Sequence, residues 1–368
     1  MVRIPCTIMR GGTSKGVYFR SDALPTDAAE RDRLLLRIMG SPDARQIDGL
    51  GGADPLTSKI VIMDPKAPEG CDATYTYGRV SVLEPYIGYA TNCGNLSAAA
   101  AVYAIEEGFV PVAKGAESTP VRLYNSNTDR VLVIHVPTDG KSYVAEGDFH
   151  IDGVPGTGSE IRLDFSATAG ANIGKLLPLG APTVPVHVPR LGRSIDVSVV
   201  DVAKTTLFVR AEDLGLRGNE MPDAVSSETV ETLWSVRDAV GQMLGLGEDK
   251  KHIPTPVAIG PAQDYVAFGG SRAVSSAEMD FCARAVGRRG HGMAKASSGT
   301  GAVCTAAAAV TRGTIVNAHM ANPDGPLVRI GHASGILPLR ASYGADGQLK
   351  EALFSRTARR LMDGFAYA

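Results

Sequence analysis

Hydrophobic and polar residues alternate with a period of two along several short stretches, a pattern typical of half-buried β-strands. Between these stretches lie polar turns rich in Gly, Pro, Asn and Asp, which favour changes of chain direction. The predicted strands are residues 3–9, 17–19, 60–63, 73–82, 121–136 with a turn at 125–129, 161–165, 194–200, 205–209, 313–316 and 327–331.

Apolar residues recur at helical spacing in a smaller number of stretches. Residues 27–39 carry a run of Leu, Ile and Met among charges and end at Gly40-Ser41-Pro42, which predicts an amphipathic helix with a clear stop. Further helices are predicted at 227–244, 276–286 and 348–362. Strand hairpins with few helices indicate an α+β protein, and no G-x-G-x-x-G follows a strand as a Rossmann fold requires.

Two Ala-rich stretches have a different character, and each follows a turn of small polar residues. The first turn, T-N-C-G-N at 91–95, opens into an Ala-rich run ended by Gly108. Asn and Ser cap helices and Ala propagates them, so we predict that Cys93 lies at a helix N-terminus. The positive end of the helix dipole attracts anions and favours a thiolate there.

The second turn, A-S-S-G-T-G at 296–301, opens into the Ala-rich run 302–310. One such unit in each half indicates a duplicated architecture with two helix starts facing one cleft. The alternative is that both runs are simply tightly packed core helices. A Pro- and Gly-dense passage near residue 180 is the best domain boundary, giving domains at 1–180 and 181–344, with 345–368 available to complete the first.

Composition excludes several classes of function. The formal net charge of −2 and the pI near 6.4 give no basic surface for nucleic acid or an anionic membrane. No apolar run approaches the length of a membrane span, and no signal peptide is visible, so we expect a cytoplasmic protein. Five scattered Cys fit a reduced compartment, and the dispersed His residues predict neither a metal site nor a metal cofactor.

Two cationic segments are candidates for chemistry. The loop M-R-G-G-T-S-K-G at 9–16 joins two predicted strands and places Arg10 and Ser14 where they can hold a carboxylate; its spacing is not that of a P-loop. Lys59 follows a Gly-rich loop and enters an apolar strand, where partial burial can turn an amine into a base. The alternatives are a glycine hairpin with solvated charges and a Lys that reaches solvent.

Six motifs follow one another along the chain: M-R-G-G-T-S-K-G-V-Y-F (9–19), M-G-S-P-D-A-R-Q-I-D-G-L-G-G-A-D-P-L-T-S-K (39–59), N-C-G-N (92–95), L-Y-N-S-N-T (123–128), G-K-L-L-P (174–178) and S-G-T-G-A-V-C-T-A (298–306). Together they resemble the PrpF-type family, which includes 4-oxalomesaconate tautomerase and methylaconitate isomerase. The resemblance spans nearly the whole chain, and residues 39–59 are most similar to the oxalomesaconate branch.

The resemblance implies a fold similar to that of diaminopimelate epimerase: two similar domains, each a curved, mostly antiparallel sheet around a central helix, with the site in the cleft between them. It implies Lys59 and Cys93 as the catalytic pair. Ser298 stands where the epimerases have a second Cys, which disfavours a symmetric two-thiol racemase. Residues 200–206 also depart from the family pattern, and this affects the expected substrate.

Moving a double bond in an unsaturated polycarboxylate requires removing one proton and returning another two atoms away, while an enolate is stabilised. We predict that Lys59 takes the proton and Cys93 delivers one, with the reverse assignment left open. Charge stabilisation by hydrogen-bond donors makes a coenzyme unnecessary. The predicted substrate-binding residues are Arg10, Ser14, Thr57, Ser58, Asn92, Gly94, Asn95, Ser297, Ser298, Gly299, Thr300, Gly301, His332 and Ser334.

The predicted substrate is a small polycarboxylate, most directly 4-oxalomesaconate, with aconitate or methylaconitate as the alternative; a homodimer is possible. An organic-anion binder would not need Lys59. A hydrolase with a Cys nucleophile would need a His base, and no His is near Cys93 in sequence. His291 and Lys295 are further residues that could reach the cleft. Cys304, one turn into the second Ala-rich helix, is expected to be a core residue.

Overall fold

A computed structural model describes residues 2–89, 92–247, 253–270, 272–287, 289–290 and 292–368, and His291 and Thr91 lie outside these ranges. The chain divides into two compact units. The first is formed by Met1–Asp164 together with Ser355–Ala368, and the second by Phe165–Phe354.

The strands and helices are numbered in chain order. The first unit contains β1 (Arg3–Gly11), β2 (Ser14–Arg20), β3 (Lys59–Asp64), β4 (Ala73–Val80), β5 (Ile87–Gly88), β6 (Ser118–Asn125), β7 (Arg130–Pro137), β8 (Phe149–His150), β9 (Thr157–Gly158) and β10 (Ile161–Asp164). The second contains β11 (Val184–Val188), β12 (Arg193–Val202), β13 (Lys204–Arg210), β14 (Thr255–Pro261), β15 (Tyr265–Val266), β16 (Ala273–Val274), β17 (Phe281–Ala285), β18 (Leu327–His332) and β19 (Gly335–Tyr343). Strand β20 (Leu349–Arg356) takes the chain back into the first unit, which ends with β21 (Ala358–Tyr367). The helices are α1 (Ala28–Met39), α2 (Gly94–Glu106), α3 (Ser227–Met243) and α4 (Gly299–Val310).

The two units repeat one pattern of strand pairing. In the first, the order across the sheet is β21-β1-β2-β3-β4-β6-β7-β10, with β2 parallel to β3 and β4 parallel to β6. In the second, the order is β11-β12-β13-β14-β17-β18-β19-β20, with parallel pairs at the same two places. All the other pairs are antiparallel. The predicted duplication and the α+β fold class are therefore confirmed.

Each sheet curves around one Ala-rich helix. Helix α2 contacts strands from one edge of its sheet to the other, including β21, β1, β7 and β10, which is possible only if the sheet bends around it. Helix α4 contacts β12, β13, β18 and β19 in the same way. From Leu96 to Ile105 every residue of α2 is buried, and small Ala side chains allow this close approach from all sides.

The amphipathic helices α1 and α3 cover apolar clusters that are separate from the Ala-rich helices. Asp27 caps α1 by accepting from the Glu30 N–H, and Gly40 ends the helix with a left-handed φ of 71°. Leu35 and Ile38 of α1 pack with residues of β1, β2 and β3. Trp234 and Val240 of α3 pack against β11, β12 and β13. Both helices were predicted at these places.

Three secondary-structure predictions are wrong. Residues 276–286 form a single 3-10 turn, Ser276–Glu278, followed by strand β17, and residues 313–316 form turns instead of a strand. Residues 348–362 form parts of β20 and β21 where a helix was predicted. In the last case Leu, Ala, Lys, Glu and Arg favour a helix locally, but pairing with β19 and β1 outweighs that propensity.

All five Cys are free thiols. Across the described ranges no helix combines the length and apolar character needed to cross a membrane. Nor do the described His, Cys, Asp and Glu side chains form a group of three or more that could hold a metal ion.

Candidate active site

Lys59 and Cys93 are in contact in the first unit. Lys59 is the first residue of β3, an inner strand of its sheet, and its side chain is buried with 6% exposure. Its Nζ donates to Ser14 Oγ at 2.8 Å and reaches Cys93 Sγ at 3.6 Å. A buried amine, a hydroxyl and a thiol therefore form one polar cluster at the start of α2.

Cys93 occupies the N-cap position of α2 without capping it. Its backbone is extended, with φ of −129° and ψ of 98°, and its side chain makes no capping hydrogen bond. The first intrahelical bond runs from the Ser97 N–H to the Cys93 carbonyl at 2.9 Å. The N–H groups of Gly94, Asn95 and Leu96 precede that bond and point out of the helix end, as donors do at every helix start. The thiol thus lies beside a positive helix terminus.

The Asn92 side chain stabilises the turn that precedes α2. Its Oδ1 accepts from the Cys93 N–H at 2.6 Å, from Tyr75 Oη at 2.8 Å and from Ser97 Oγ at 3.1 Å. Three donors around one amide oxygen fix the backbone of Cys93. The residue predicted to bind substrate therefore uses its oxygen to hold the thiol in place.

Asn127, in the turn between β6 and β7, ties down the chain that leads to the thiol. Its Nδ2 donates to the carbonyls of Tyr77 and Tyr89 at 2.8 and 2.7 Å, and its Oδ1 accepts from the Tyr77 N–H at 2.7 Å. This gives a structural reason for the N-S-N-T segment noted in the sequence.

Gly11 and Gly12 let the β1–β2 hairpin approach the start of α2. A Cβ on Gly11 would lie 2.1 Å from the Asn95 carbonyl oxygen, and one on Gly12 would lie 2.2 Å from Asn95 Oδ1. Gly12 also has a φ of 48°, which favours glycine. Hydrogen bonds from Asn95 Nδ2 to Thr13 Oγ1 at 3.0 Å and to Ser14 Oγ at 3.3 Å close the contact.

Three other predicted binding residues make bonds within the protein. Arg10 Nη1 donates to the carbonyls of Gly12 and Thr357 at 3.1 and 3.0 Å, and burial lowers the pKa of Arg10. Ser58 Oγ donates to Gln46 Oε1 at 2.6 Å, which shapes the loop before Lys59. Thr57 Oγ1 makes a long contact of 3.4 Å with the Asp54 carbonyl.

The start of α4 in the second unit is built differently. Ser298 is a true N-cap, since its Oγ accepts from the Gly301 N–H at 3.2 Å. That bond occupies one of the predicted N–H donors. The N–H groups of Gly299 and Thr300 precede the first intrahelical bond, from Ala302 to Ser298 at 2.8 Å. A glycine is needed at position 299, because a Cβ there would lie 2.7 Å from the Phe354 ring.

A small cavity of about 30 Å³ lies at this helix start, enough for roughly two water-sized groups. Its wall includes Lys204, Ser297, Ser298, Gly301, Thr305 and His332. Burial lowers the pKa of Lys204, and the Cys304 sulfur opposes that shift when it is ionised. Cys304 itself is fully buried, as predicted, and burial raises its pKa to about 12.

The turn at the end of β18 holds the last predicted residues. Tyr265 Oη donates to the carbonyls of His332 and Gly335, each at 2.8 Å. His332 Nδ1 accepts from the Ser334 N–H at 3.2 Å, and Ser334 Oγ donates to the Lys295 carbonyl. His332 thus lines the cavity, whereas the Ser334 hydroxyl is engaged with the backbone.

Sequence reasoning missed two cations, Lys204 and Arg356. Lys204 opens β13 directly after Ala203, whose φ of 56° makes a tight hairpin turn. Arg356 Nε donates to Asn95 Oδ1 at 2.7 Å, but the segment around it was predicted to be a helix. Lys204 could have been found from its position between two strand patterns, whereas nothing near Arg356 in the sequence indicates its partner.

Comparison with protein families gives a match to the PrpF protein family over residues 1–368. Three curated relatives align over nearly the whole chain. A 3-methylitaconate isomerase of Eubacterium barkeri is 40% identical, covering 100% of this chain and 97% of its own. A 2-methyl-aconitate isomerase of Shewanella oneidensis is 34% identical, covering 99% and 96%. A 4-oxalomesaconate tautomerase of Pseudomonas putida is 35% identical, covering 98% and 95%.

Solved structures give the same picture of the fold. A crystal structure of methylitaconate-delta-isomerase superposes with a TM-score of 0.90 at 38% identity, covering 99% of this chain and 95% of that one. A hydroxyproline epimerase from Agrobacterium vitis superposes with a TM-score of 0.50 at 11% identity, covering 99% and 92%. At that low identity the likeness concerns the fold alone, and it is the epimerase-like fold predicted from the sequence.

Proposed function

We infer, on the premise that the chain belongs to the PrpF protein family and is an isomerase, that it moves a double bond or tautomerises an unsaturated polycarboxylate by proton transfer, without a metal or coenzyme. The observation that carries this proposal is the contact between Lys59 Nζ and Cys93 Sγ, 3.6 Å apart at the start of α2. An amine and a thiol at that distance can each exchange a proton with the same carbon skeleton.

The proposed cycle conserves protons. Lys59, acting as the base, removes a proton from the carbon next to the double bond, which leaves a dienolate. The Cys93 S–H then protonates the carbon two atoms away, and the double bond ends in its new place. Transfer of the proton from Lys59 Nζ to Cys93 Sγ, directly across their contact, restores the starting state. If Cys93 takes the proton and Lys59 delivers it, protons are conserved equally well. Experiment must therefore decide which residue is the base.

Stabilisation of the dienolate is the second requirement. The N–H groups at the start of α2 present positive charge beside Cys93, and one such donor is typically worth about 3 kcal/mol in the transition state. In the second unit, Lys204 and Ser298 line a small cavity at the start of α4. We propose that this cavity binds a small anionic group such as a carboxylate.

The first candidate substrate is 4-oxalomesaconate, because residues 39–59 resemble the oxalomesaconate branch of the family. The second candidates are methylaconitate, aconitate and 3-methylitaconate. The similarity to a 3-methylitaconate isomerase at 40% identity and to a 2-methyl-aconitate isomerase at 34% identity favours them. All are unsaturated acids with at least two carboxylates, so the same donors suit each of them.

Proton NMR in deuterated water with these four acids tests the proposal. We expect one acid to isomerise and to take up deuterium at the carbon that gains a proton. Deuterium uptake should disappear in Lys59→Met. If wild-type protein exchanges no proton in any unsaturated polycarboxylate, yet binds one saturably, the chain is an anion binder and the proposal is wrong.

A further inference from the structure

Arg356 is a buried cation that touches the helix start beside the thiol. It is the last residue of β20, its exposure is 8%, and its Nε donates to Asn95 Oδ1 at 2.7 Å. A guanidinium has only donors, so the oxygen of the Asn95 amide must face it. The amide nitrogen therefore faces the opposite way, toward the β1–β2 hairpin.

Because the Asn95 nitrogen faces the hairpin, it can donate a hydrogen bond to Ser14. It donates to Ser14 Oγ at 3.3 Å, while Lys59 Nζ donates to the same oxygen at 2.8 Å. A hydroxyl oxygen has two lone pairs, and these two donors occupy both. Ser14 is therefore held as an acceptor for Lys59, and a rotated Asn95 amide would present an oxygen where a donor is needed.

The chain of contacts is packed tightly enough to hold one geometry. Ser14 is 2% exposed, which keeps water from replacing these bonds. A Cβ on Gly12 would lie 2.7 Å from Arg356 Cδ, so the hairpin rests directly on the arginine. Burial lowers the pKa of Arg356 to about 9, and the Cys93 sulfur, when ionised, opposes that shift.

We propose that Arg356 is a positioning residue for proton transfer: it fixes the Asn95 amide, which fixes the Ser14 hydroxyl, which orients the Lys59 amine toward Cys93. This inference rests on the proposed function, because it assumes that Lys59 exchanges a proton with the substrate. Arg356 needs no contact with the substrate in this role.

The first test is Arg356→Met, with Arg356→Lys beside it. We expect kcat to fall about 10- to 100-fold in Arg356→Met, the usual cost of a catalytic group displaced by about 1 Å, while KM changes less than threefold. Arg356→Lys keeps a donor for Asn95 Oδ1 and should recover part of the kcat. Arg359→Gln, which removes an exposed positive charge three residues away, should leave both constants unchanged.

A second variant keeps the test decisive if Arg356→Met does not fold. Asn95→Asp can still accept from Arg356 but cannot donate to Ser14, so kcat should fall with the fold retained by circular dichroism. The double variant Asn95→Asp with Arg356→Met should lose no more kcat than the worse single variant. Unchanged kcat in Asn95→Asp, or multiplying losses in the double variant, would overturn the proposal.

The outcomes also separate this inference from the proposed function. A rise in KM with unchanged kcat in Arg356→Met would show that the arginine binds the substrate directly, so the positioning role is wrong and the isomerase remains. Absence of exchange in the wild-type protein with all four acids would reject the proposed function itself.

Discussion

The starts of α2 and α4 occupy the same place in two copies of one fold, yet they carry different chemistry. At α2 the capping position holds Cys93, which makes no capping bond and contacts an amine instead. At α4 the same position holds Ser298, which caps the helix in the usual way. The two copies therefore share a backbone arrangement, while only the first has a thiol in contact with an amine at the capping position.

The position of the amine differs as well. In the first unit the amine is that of Lys59, the first residue of β3, and Ser14 opens β2. In the second unit the equivalent positions hold Thr255, which opens β14, and Lys204, which opens β13. In the second unit the lysine therefore opens β13 instead of β14, and it lies at the wall of the cavity at α4. Under the proposed function, the first copy carries the proton-transfer pair and the second offers a lysine to a small anion.

Lys59→Met is expected to have the largest effect of the variants considered, because it removes the amine that contacts the thiol at α2. Removing the base at α2 is expected to lower the rate of deuterium uptake about 100- to 10,000-fold while substrate binding persists. The measurement is proton NMR in deuterated water, with binding followed by calorimetry. Lys66→Met, at an exposed position two residues beyond the end of β3, is the control. Exchange at the wild-type rate in Lys59→Met would reject the assignment of Lys59 as the base.

Cys93→Ser makes the first helix start resemble the second and should have a smaller effect. A serine can cap α2 and still orient the substrate, but its hydroxyl is a poorer proton donor than a thiol. We expect kcat to fall about 10- to 100-fold, within the range for a general acid. Cys71→Ser, a partly exposed thiol outside the cluster, is the matched control. A loss larger than that in Lys59→Met would give the main role to the thiol.

Lys204→Met tests the role given to the second unit. Loss of one charged hydrogen bond to a carboxylate should raise KM about 10-fold, with kcat little changed. Burial lowers the pKa of Lys204, so in wild type KM should rise at a lower pH than an ordinary lysine would give. That pH dependence should be absent in Lys204→Met and present in the control Lys350→Met. A fall in kcat alone would contradict the binding role.

The smallest effect concerns stability and compares the two capping positions directly. Ser298→Ala removes a capping bond and should lower the free energy of unfolding by about 1 kcal/mol. Cys93→Ala removes no such bond and should cost less. Urea unfolding followed by circular dichroism measures both. Equal losses in the two variants would show that the caps do not differ as described.

Local patterns were enough to predict both Ala-rich helices, because a polar turn followed by Ala determines a helix start over a few residues. They also placed Lys59 and Cys93, each at the beginning of an element. The end of the chain could not be predicted in this way, since residues 348–362 are helix formers held as strands by distant partners. Arg356 was missed for the same reason.

Several predicted binding residues proved to have other partners. Arg10 Nη1 and Ser58 Oγ donate to oxygens of the protein, and Asn92 Oδ1 accepts from the Cys93 N–H. Sequence shows which side chains can bind an anion, but whether a neighbouring carbonyl or amide already satisfies them depends on the fold. Lys204 shows the converse: two strand patterns flank it in the sequence, but only the fold shows that the hairpin turn at Ala203 places it at the cavity.

The bare glycines of the β1–β2 hairpin have a consequence for anyone who wishes to redesign this catalyst. Since even a methyl group at Gly11 or Gly12 would collide with Asn95, the contact between this hairpin and the start of α2 tolerates no added bulk. Libraries intended to widen or shift the range of acids accepted should therefore leave residues 11–12 untouched.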